Sequence, residues 1–381
     1  MKTCKHFNEC GGCRYQDVPY PQQLRQKEER VKKLASFYEI TAEIKPMNSY
    51  QPFFYRGKME FSFADRNGLV CGLYSKVEKR KVVDVQQCLI FSPDTEKILA
   101  GVKEFVVSKG YSAHNKFSHK GLLRNIVIRK TWFTKQLMVG IVATSEVEFD
   151  KEGFVSVLRS LSLENDIKSI YWVGNDSLSD AVVFDKKELI FGQAFITEEL
   201  GDLKFNIGID TFFQNNSLGI KDLYSKIKEY ACLKGEERVL DLYCGVGSIG
   251  LFLADKAKFV WGVEIQKEII DAAWQNARGN DINNISFFTS DARRFLNTQA
   301  SFYKDVDMLI MNPPRSGLSK KIVRAVLRWL PKTIVYSSCN PASFFEDLKA
   351  LSGNYNVDFI EPFDFFPHTP HLECLSFLKK K

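Results

Sequence analysis

Two stretches near the C-terminus carry residue types that do covalent chemistry. In Tyr336-Ser337-Ser338-Cys339-Asn340-Pro341 an apolar strand ends on a thiol. Asn340 is a good helix cap and Pro341 suits a first helical position, so a helix should begin there, and its N-terminus should favour thiolate over thiol at Cys339. In Phe366-Pro367-His368-Thr369-Pro370-His371-Leu372-Glu373-Cys374, the residues His368, His371, Glu373 and Cys374 are of metal-binding types. Pro370, however, bars the helix that would align the histidines, and Glu373 reads better as a general base at the mouth of a sheet.

The scaffold that would position them is legible from about residue 206 onward. Strand and helix patterns alternate there, with strands expected at 238–242, 259–263, 285–288, 307–311 and 333–337. That alternation predicts an α/β domain with a mostly parallel sheet. Between them, Ile322, Val323, Val326, Leu327 and Leu330 form a helical stripe behind a Ser319 cap. The strand ends read Tyr243, Glu264, Asp291, Asn312 and Cys339, and ligands collect at the carboxyl ends of such strands. Gly245, Gly247 and Gly250 spell G-x-G-x-x-G, and Glu264 follows Gly245 by nineteen positions (264 − 245). This suits a dinucleotide or S-adenosylmethionine, with Asp241 facing the latter's ammonium or orienting the loop. Asp291 can accept from an adenine amine or cap a helix. The prolines of Asn312-Pro313-Pro314-Arg315 make a stiff bend able to hold a base edge; enzymes that methylate amino groups place an aromatic ring after them, so Arg315 disfavours nitrogen as the acceptor.

The first part of the chain has a different texture. Cys4, Cys10 and Cys13 form C-x5-C-G-G-C, to which Cys71 or Cys88 could add a fourth thiolate for zinc or an iron–sulfur cluster. The spacing excludes the C-x3-C-x2-C of radical enzymes that use the same methyl donor. The chain has 381 residues and nine cysteines, without an apolar export signal or a membrane-length apolar run. A reducing, cytoplasmic setting without a membrane is therefore expected. A net charge of +7 is compatible with nucleic acid. Residues 101–135 hold eight Lys/Arg (Lys103, Lys109, Lys116, Lys120, Arg124, Arg129, Lys130, Lys135) against Glu104, interleaved with Phe105, Tyr111, Phe117, Trp132 and Phe133. They read as RNA-contacting charge and rings, or as a solvated strand face. Three parts are expected: a cysteine-cluster region at 1–90, a central β-rich RNA-binding domain at 91–205, and a catalytic domain at 206–381.

Taken together, D-L-Y-C-G-V-G, N-P-P-R, Y-S-S-C-N-P and F-P-H-T-P-H-L-E, in that order, resemble the RNA uracil-C5 methyltransferases. The resemblance implies a Rossmann-like, S-adenosyl-L-methionine-binding domain behind an N-terminal iron–sulfur and mixed-β RNA-binding region. It implies Cys339 as the nucleophile that adds to uracil C6, Glu373 as the base that removes the C5 proton, and Gln214, Tyr243, Glu264, Asp291 and Asn312 as methyl-donor positions. It implies a [4Fe–4S] cluster on Cys4, Cys10, Cys13 and Cys88, since Cys88 precedes an apolar residue as the late cysteine does in cluster-bearing members. Tyr55-Arg56-Gly57-Lys58 resembles the family's Y-R-N-K, with Gly57 replacing Asn. A cysteine motif that starts at residue 4, with no β-barrel RNA-binding module before it, and Asn312 in place of the common Asp resemble the members acting on uracil 747 of 23S rRNA. A tRNA target, an NAD-dependent oxidoreductase and a non-catalytic metal-stabilised RNA-binding protein are the alternatives, and no obligate protein partner is implied.

Overall fold

In Lys58–Asp65, Met59, Phe61 and Phe63 are buried while the residues between them are half-exposed, the period-two signature of a strand with one face on a core. In Met308–Met311 every residue is buried, as expected of a parallel strand covered on both faces. These two patterns build two different sheets. The computed structural model describes residues 3–179, 182–184, 186–298 and 305–381.

In chain order, helix α1 (Tyr20–Phe37) and strand β1 (Glu43–Ile44) precede β2 (Lys58–Asp65), β3 (Leu69–Tyr74) and β4 (Val82–Asp84). Then come α2 (Thr95–Ser108), β5 (Leu123–Lys130), β6 (Gln136–Ala143), α3 (Lys151–Ser160), β7 (Asp166–Gly174) and β8 (Lys186–Gly192). Strands β2 to β8 form one seven-stranded sheet in the order β4-β3-β2-β5-β6-β7-β8. It is antiparallel except where β6 pairs with β7 across α3. A hairpin of β9 (Ile196–Leu200) and β10 (Leu203–Ile207) leads out of it.

The alternating part follows: α4 (Ser217–Ala231), β11 (Arg238–Leu242), α5 (Ser248–Leu253), β12 (Phe259–Glu264), α6 (Lys267–Gly279), β13 (Ile285–Thr289) and α7 (Ala292–Thr298). It continues with β14 (Met308–Met311), α8 (Lys320–Trp329), β15 (Thr333–Ser338), α9 (Pro341–Leu351), β16 (Tyr355–Phe363) and β17 (Glu373–Lys380). The eight-stranded sheet runs β1-β16-β17-β15-β14-β11-β12-β13. Strands β11 to β15 are mutually parallel, and β17 inserts antiparallel between β15 and β16. All five strands expected from the alternation lie in this sheet. The expected caps form as well: the Ser319 side chain accepts from Ile322 N, and the Asn340 side chain accepts from Ala342 N.

The seven-stranded sheet takes strands from both sides of residue 90, and residue 205 falls within β10. The N-terminal segment crosses to the other sheet, where β1 pairs in parallel with β16 and α1 packs on α9. The tie is a buried ion pair: Lys27 Nζ lies 2.5 Å from Asp364 Oδ1 and 3.1 Å from the Phe366 carbonyl. Burial lowers the lysine's pKa and raises the aspartate's, so each charge depends on the other. We expect Lys27→Ala, which strands a buried carboxylate, to cost about 3–5 kcal/mol of stability. Denaturant unfolding should show this as a lowered midpoint.

Candidate active site

Strand register decides where the thiol and the carboxylate meet. In the antiparallel pair of β15 and β17, Ser337 faces Leu375 and Ser338 faces Cys374. The pairing ends there: Cys339 is the first residue after β15 and Glu373 the first of β17, and the two are electrostatic neighbours. The two motifs are thus brought together at the carboxyl end of the parallel strands.

Their surroundings set their protonation. Glu373 is fully buried, neither of its oxygens has a hydrogen-bond partner among the described residues, and burial pushes its carboxyl up to about 8. The Ser337 hydroxyl pulls the other way. Cys339 is half-buried, and burial first, then the Glu373 carboxylate, raise its thiol pKa. Cys339 does lie just ahead of the Asn340 cap of α9, as expected, while burial and the neighbouring acid act against the thiolate. The opposing influence is the Arg315 guanidinium beside the sulfur, a residue whose role the sequence did not reveal.

The loop that carries Arg315 is fastened to the helix after the thiol. The Arg315 carbonyl accepts from Asn340 Nδ2 at 2.9 Å and from Ser343 Oγ at 3.3 Å. Asp347 Oδ2 accepts from Leu318 N at 2.9 Å and from the Tyr336 hydroxyl. Replacing Arg315 with glutamine removes the cation and is expected to raise the pH at which Cys339 half-reacts with iodoacetamide by about one unit. Peptide mass spectrometry would follow that site apart from the other thiols.

Three of the strand-end residues, Tyr243, Glu264 and Asp291, are neighbours. Tyr243 sits at φ +65°, and Asp291, Asp347 and Glu264 are its charged neighbours. At Gly245 (φ +54°) a Cβ would meet nothing within 4 Å, so this backbone faces open space. At Gly247 (φ +79°) a Cβ would lie 2.7 Å from the Phe287 ring, so the helix can start there only on glycine. The Glu264 carboxylate accepts from Ile265 N at 2.8 Å. Asp291 caps α7 by accepting from Arg294 N at 2.9 Å. It also lines a cavity of about 730 Å³ with Ile265, Phe288, Thr289, Ser290 and Arg294. Asn312 is half-buried directly after β14. Asp241, buried without a hydrogen-bond partner on either oxygen among the described residues, is pushed up to about 8 by burial. Gln214 lines a different crevice, with Lys58, Arg129, Lys130 and Phe213. Its loop is nevertheless joined to the C-terminal motif through Asn216 Nδ2, which donates to the Phe365 carbonyl at 3.1 Å.

The segment ahead of Glu373 is held by residues after the cysteine motif. Arg14 N and Tyr15 N both donate to the His368 carbonyl, at 2.8 and 3.1 Å. Gln23 accepts from His368 N at 3.0 Å and meets His368 Nδ1 at 3.1 Å. His368 is therefore a structural residue at φ +62°, with its pKa lowered to about 4 by burial. Among the described residues no group of three or more His, Cys, Asp or Glu side chains is arranged to hold a metal ion. The expected four-thiolate set is thus not assembled at ligating distance. Cys4, Cys10, Cys13 and Cys88 are still electrostatic neighbours of one another, whereas Cys71 has Asp84 and Lys103 instead.

A model of the tRNA (uracil-5-)-methyltransferase family matches residues 19–381. The chain belongs to this family. It is 36% identical over 384 residues to an RNA methyltransferase of Clostridium acetobutylicum, covering 99% of this chain and 84% of that protein. An RNA methyltransferase of Clostridium tetani is 34% identical over 384 residues, with the same coverage. Among solved structures, the tRNA (uracil-54, C5)-methyltransferase of Pyrococcus abyssi in complex with S-adenosyl-L-homocysteine aligns with a TM-score of 0.80 and 31% identity, over 97% of this chain and 86% of that one. The enzyme is accordingly an S-adenosylmethionine-dependent RNA uracil-C5 methyltransferase.

Much of the charge in residues 101–135 of this methyltransferase is structural. Arg124 donates to the carbonyls of Asn175, Ser177 and Ser179, Arg129 to those of Ile209 and Thr211, and Lys130 to that of Phe54. Lys103 and Lys109 are paired with Asp84 and Asp150. Phe105 is buried, and Tyr111 stacks on Phe149. Phe117, 70% exposed, and Phe133 are the open rings of the stretch. No described helix is long and apolar enough to cross a membrane.

Proposed function

We propose that the enzyme methylates C5 of a uridine in 23S rRNA through a transient bond between Cys339 and C6 of the base. The observation that supports this reading is the pairing of β15 with β17, which leaves Cys339 and Glu373 as neighbours at its end. Uracil C5 is too weak a nucleophile to attack unaided. A thiolate adding at C6 turns C5 into an enolate-like carbon, which forms the new C–C bond. Bound S-adenosylmethionine supplies the electrophilic methyl group, and its sulfonium leaves as a thioether. Glu373 then takes the C5 proton, the C5=C6 double bond re-forms, and the Cys339 thiolate is expelled. Tyr243, Glu264, Asp291 and Asn312 serve the methyl donor at the strand ends; Gln214, in the separate crevice before α4, is given to the donor by the family resemblance alone. The target base must be flipped out of its stack to expose C6.

The ribosomal target rests on Asn312, which stands where the wider family has Asp. A tRNA target is favoured by the likeness to the P. abyssi tRNA enzyme. Labelled methyl transfer to purified 23S rRNA and to bulk tRNA, followed by mapping of the modified uridine, separates them. Methylation of rRNA alone supports our reading, and methylation of tRNA alone overturns it.

A [4Fe–4S] cluster on Cys4, Cys10, Cys13 and Cys88 is the further part of the proposal. Its support is that Cys4, Cys10, Cys13 and Cys88 are electrostatic neighbours, although not at ligating distance. Iron and sulfide analysis of anaerobically purified protein, with Cys10→Ser as the comparison, tests it. Iron content that Cys10→Ser leaves unchanged would sink it.

A further inference from the structure

Helices α7 and α8 pack side by side, and each starts at the carboxyl edge of the eight-stranded sheet, beside the candidate active site. Their sequences, Ala-Arg-Arg-Phe-Leu-Asn-Thr and Lys-Lys-Ile-Val-Arg-Ala-Val-Leu-Arg-Trp, contain no acid. Between them runs an open groove of about 510 Å³ lined by Arg293, Asn297, Lys321, Arg324, Leu327 and Arg328. Half-buried Leu327 lies on its floor, and the four cations are exposed.

A solvated helix face ordinarily mixes both signs of charge. This one carries four positive charges and no negative one, in a chain whose net charge is +7. Elsewhere on this surface lysines such as Lys228, Lys267, Lys332 and Lys349 are held in ion pairs. Among the described residues no ion pair holds Arg293, Lys321 or Arg324; Arg328 donates to Asn297 Oδ1 at 2.8 Å, which leaves its charge uncompensated. Lys321, Arg324 and Arg328 lie on one face of α8, at spacings of three and four residues, and span about 10 Å along its axis.

We propose that this groove is a track for the RNA backbone, seating two to three phosphates of the strand that leads to or from the target uridine. The proposal goes beyond the catalytic assignment and needs only that RNA is the substrate. Two observations point to RNA over another anion. Arg293 of the groove and Arg294 of the cavity that Asp291 lines are consecutive residues of α7, the helix that starts at the end of the sheet where the target base must enter. Its charges also form an extended line, which suits a polyanion better than a single small ion.

The test compares the full-length enzyme with the triple variant Arg293→Gln/Lys321→Gln/Arg324→Gln. A control removes three lysines near the opposite end of the sheet, Lys234→Gln/Lys256→Gln/Lys258→Gln. RNA affinity is measured as a function of potassium chloride, alongside steady-state methylation of the same RNA. Losing two to three phosphate contacts should flatten the slope of log K against log salt by about 2. It should raise KM for RNA about tenfold or more and leave kcat unchanged. An unaltered slope and KM in the groove variant overturns the proposal, as does an equal change in the control, which would make it an effect of net charge. Wild-type enzyme that methylates no RNA at all would instead defeat the reading of the function itself.

Discussion

Cys339→Ala is expected to lose methyl transfer completely while still binding RNA and S-adenosylmethionine. The reaction has no lower-energy alternative path. Without sulfur at C6 the pyrimidine remains aromatic-like and C5 does not attack a sulfonium, so deletion of the nucleophile should leave no turnover above background. The thiol sits half-buried at the end of β15, not in the hydrophobic core, so its removal should barely change stability. Methyl transfer from labelled donor, with filter binding of RNA as the companion measurement, checks both halves. Residual methylation above about one thousandth of wild type would contradict the role given to this sulfur.

Glu373→Gln is expected to stall the reaction one step later. The thiol can still add and C5 can still be methylated, but no carboxylate is present to remove the C5 proton. An RNA–protein species that survives SDS should therefore accumulate, while product release falls by about 10²–10⁴-fold. Glutamine is nearly isosteric and fills the same buried site, where neither oxygen of the native carboxylate is hydrogen-bonded among the described residues, so no partner is orphaned by the change. A variant that forms neither adduct nor product would make Glu373 necessary for the first bond-forming step as well. Normal turnover would remove it from the chemistry.

Both expectations draw on features of unequal legibility in the sequence. The strands of the alternating domain could be read because each is a short apolar run between glycine, polar and helical signals, and the Ser319 and Asn340 caps could be read because capping is local. The meeting of Cys339 with Glu373 could not be derived from spacing alone. It depends on β17 entering antiparallel between β15 and β16, a long-range pairing that no local pattern encodes. The same limit hid Asp347, which ties the Pro313-Pro314 loop to Tyr336, and Gln23, which grips His368 from 345 residues away. Residues 101–135 show the opposite error. Counting cations there suggested a phosphate surface, yet Arg124, Arg129 and Lys130 are spent on backbone carbonyls that the sequence could not place nearby. At Cys339 the start of a helix is local and visible, whereas burial and the nearby Glu373, which act against the thiolate, are tertiary.

A substrate whose C5 hydrogen is replaced by fluorine tests the covalent step most directly, because fluorine cannot leave as a proton. Incubation of the enzyme with S-adenosylmethionine and an RNA carrying 5-fluorouridine at the target position should yield a stable complex. After digestion, mass spectrometry should find the methylated fluoropyrimidine on the peptide containing Cys339. A nucleotide attached to any other residue, or an RNA that is recovered methylated and free, would contradict the mechanism.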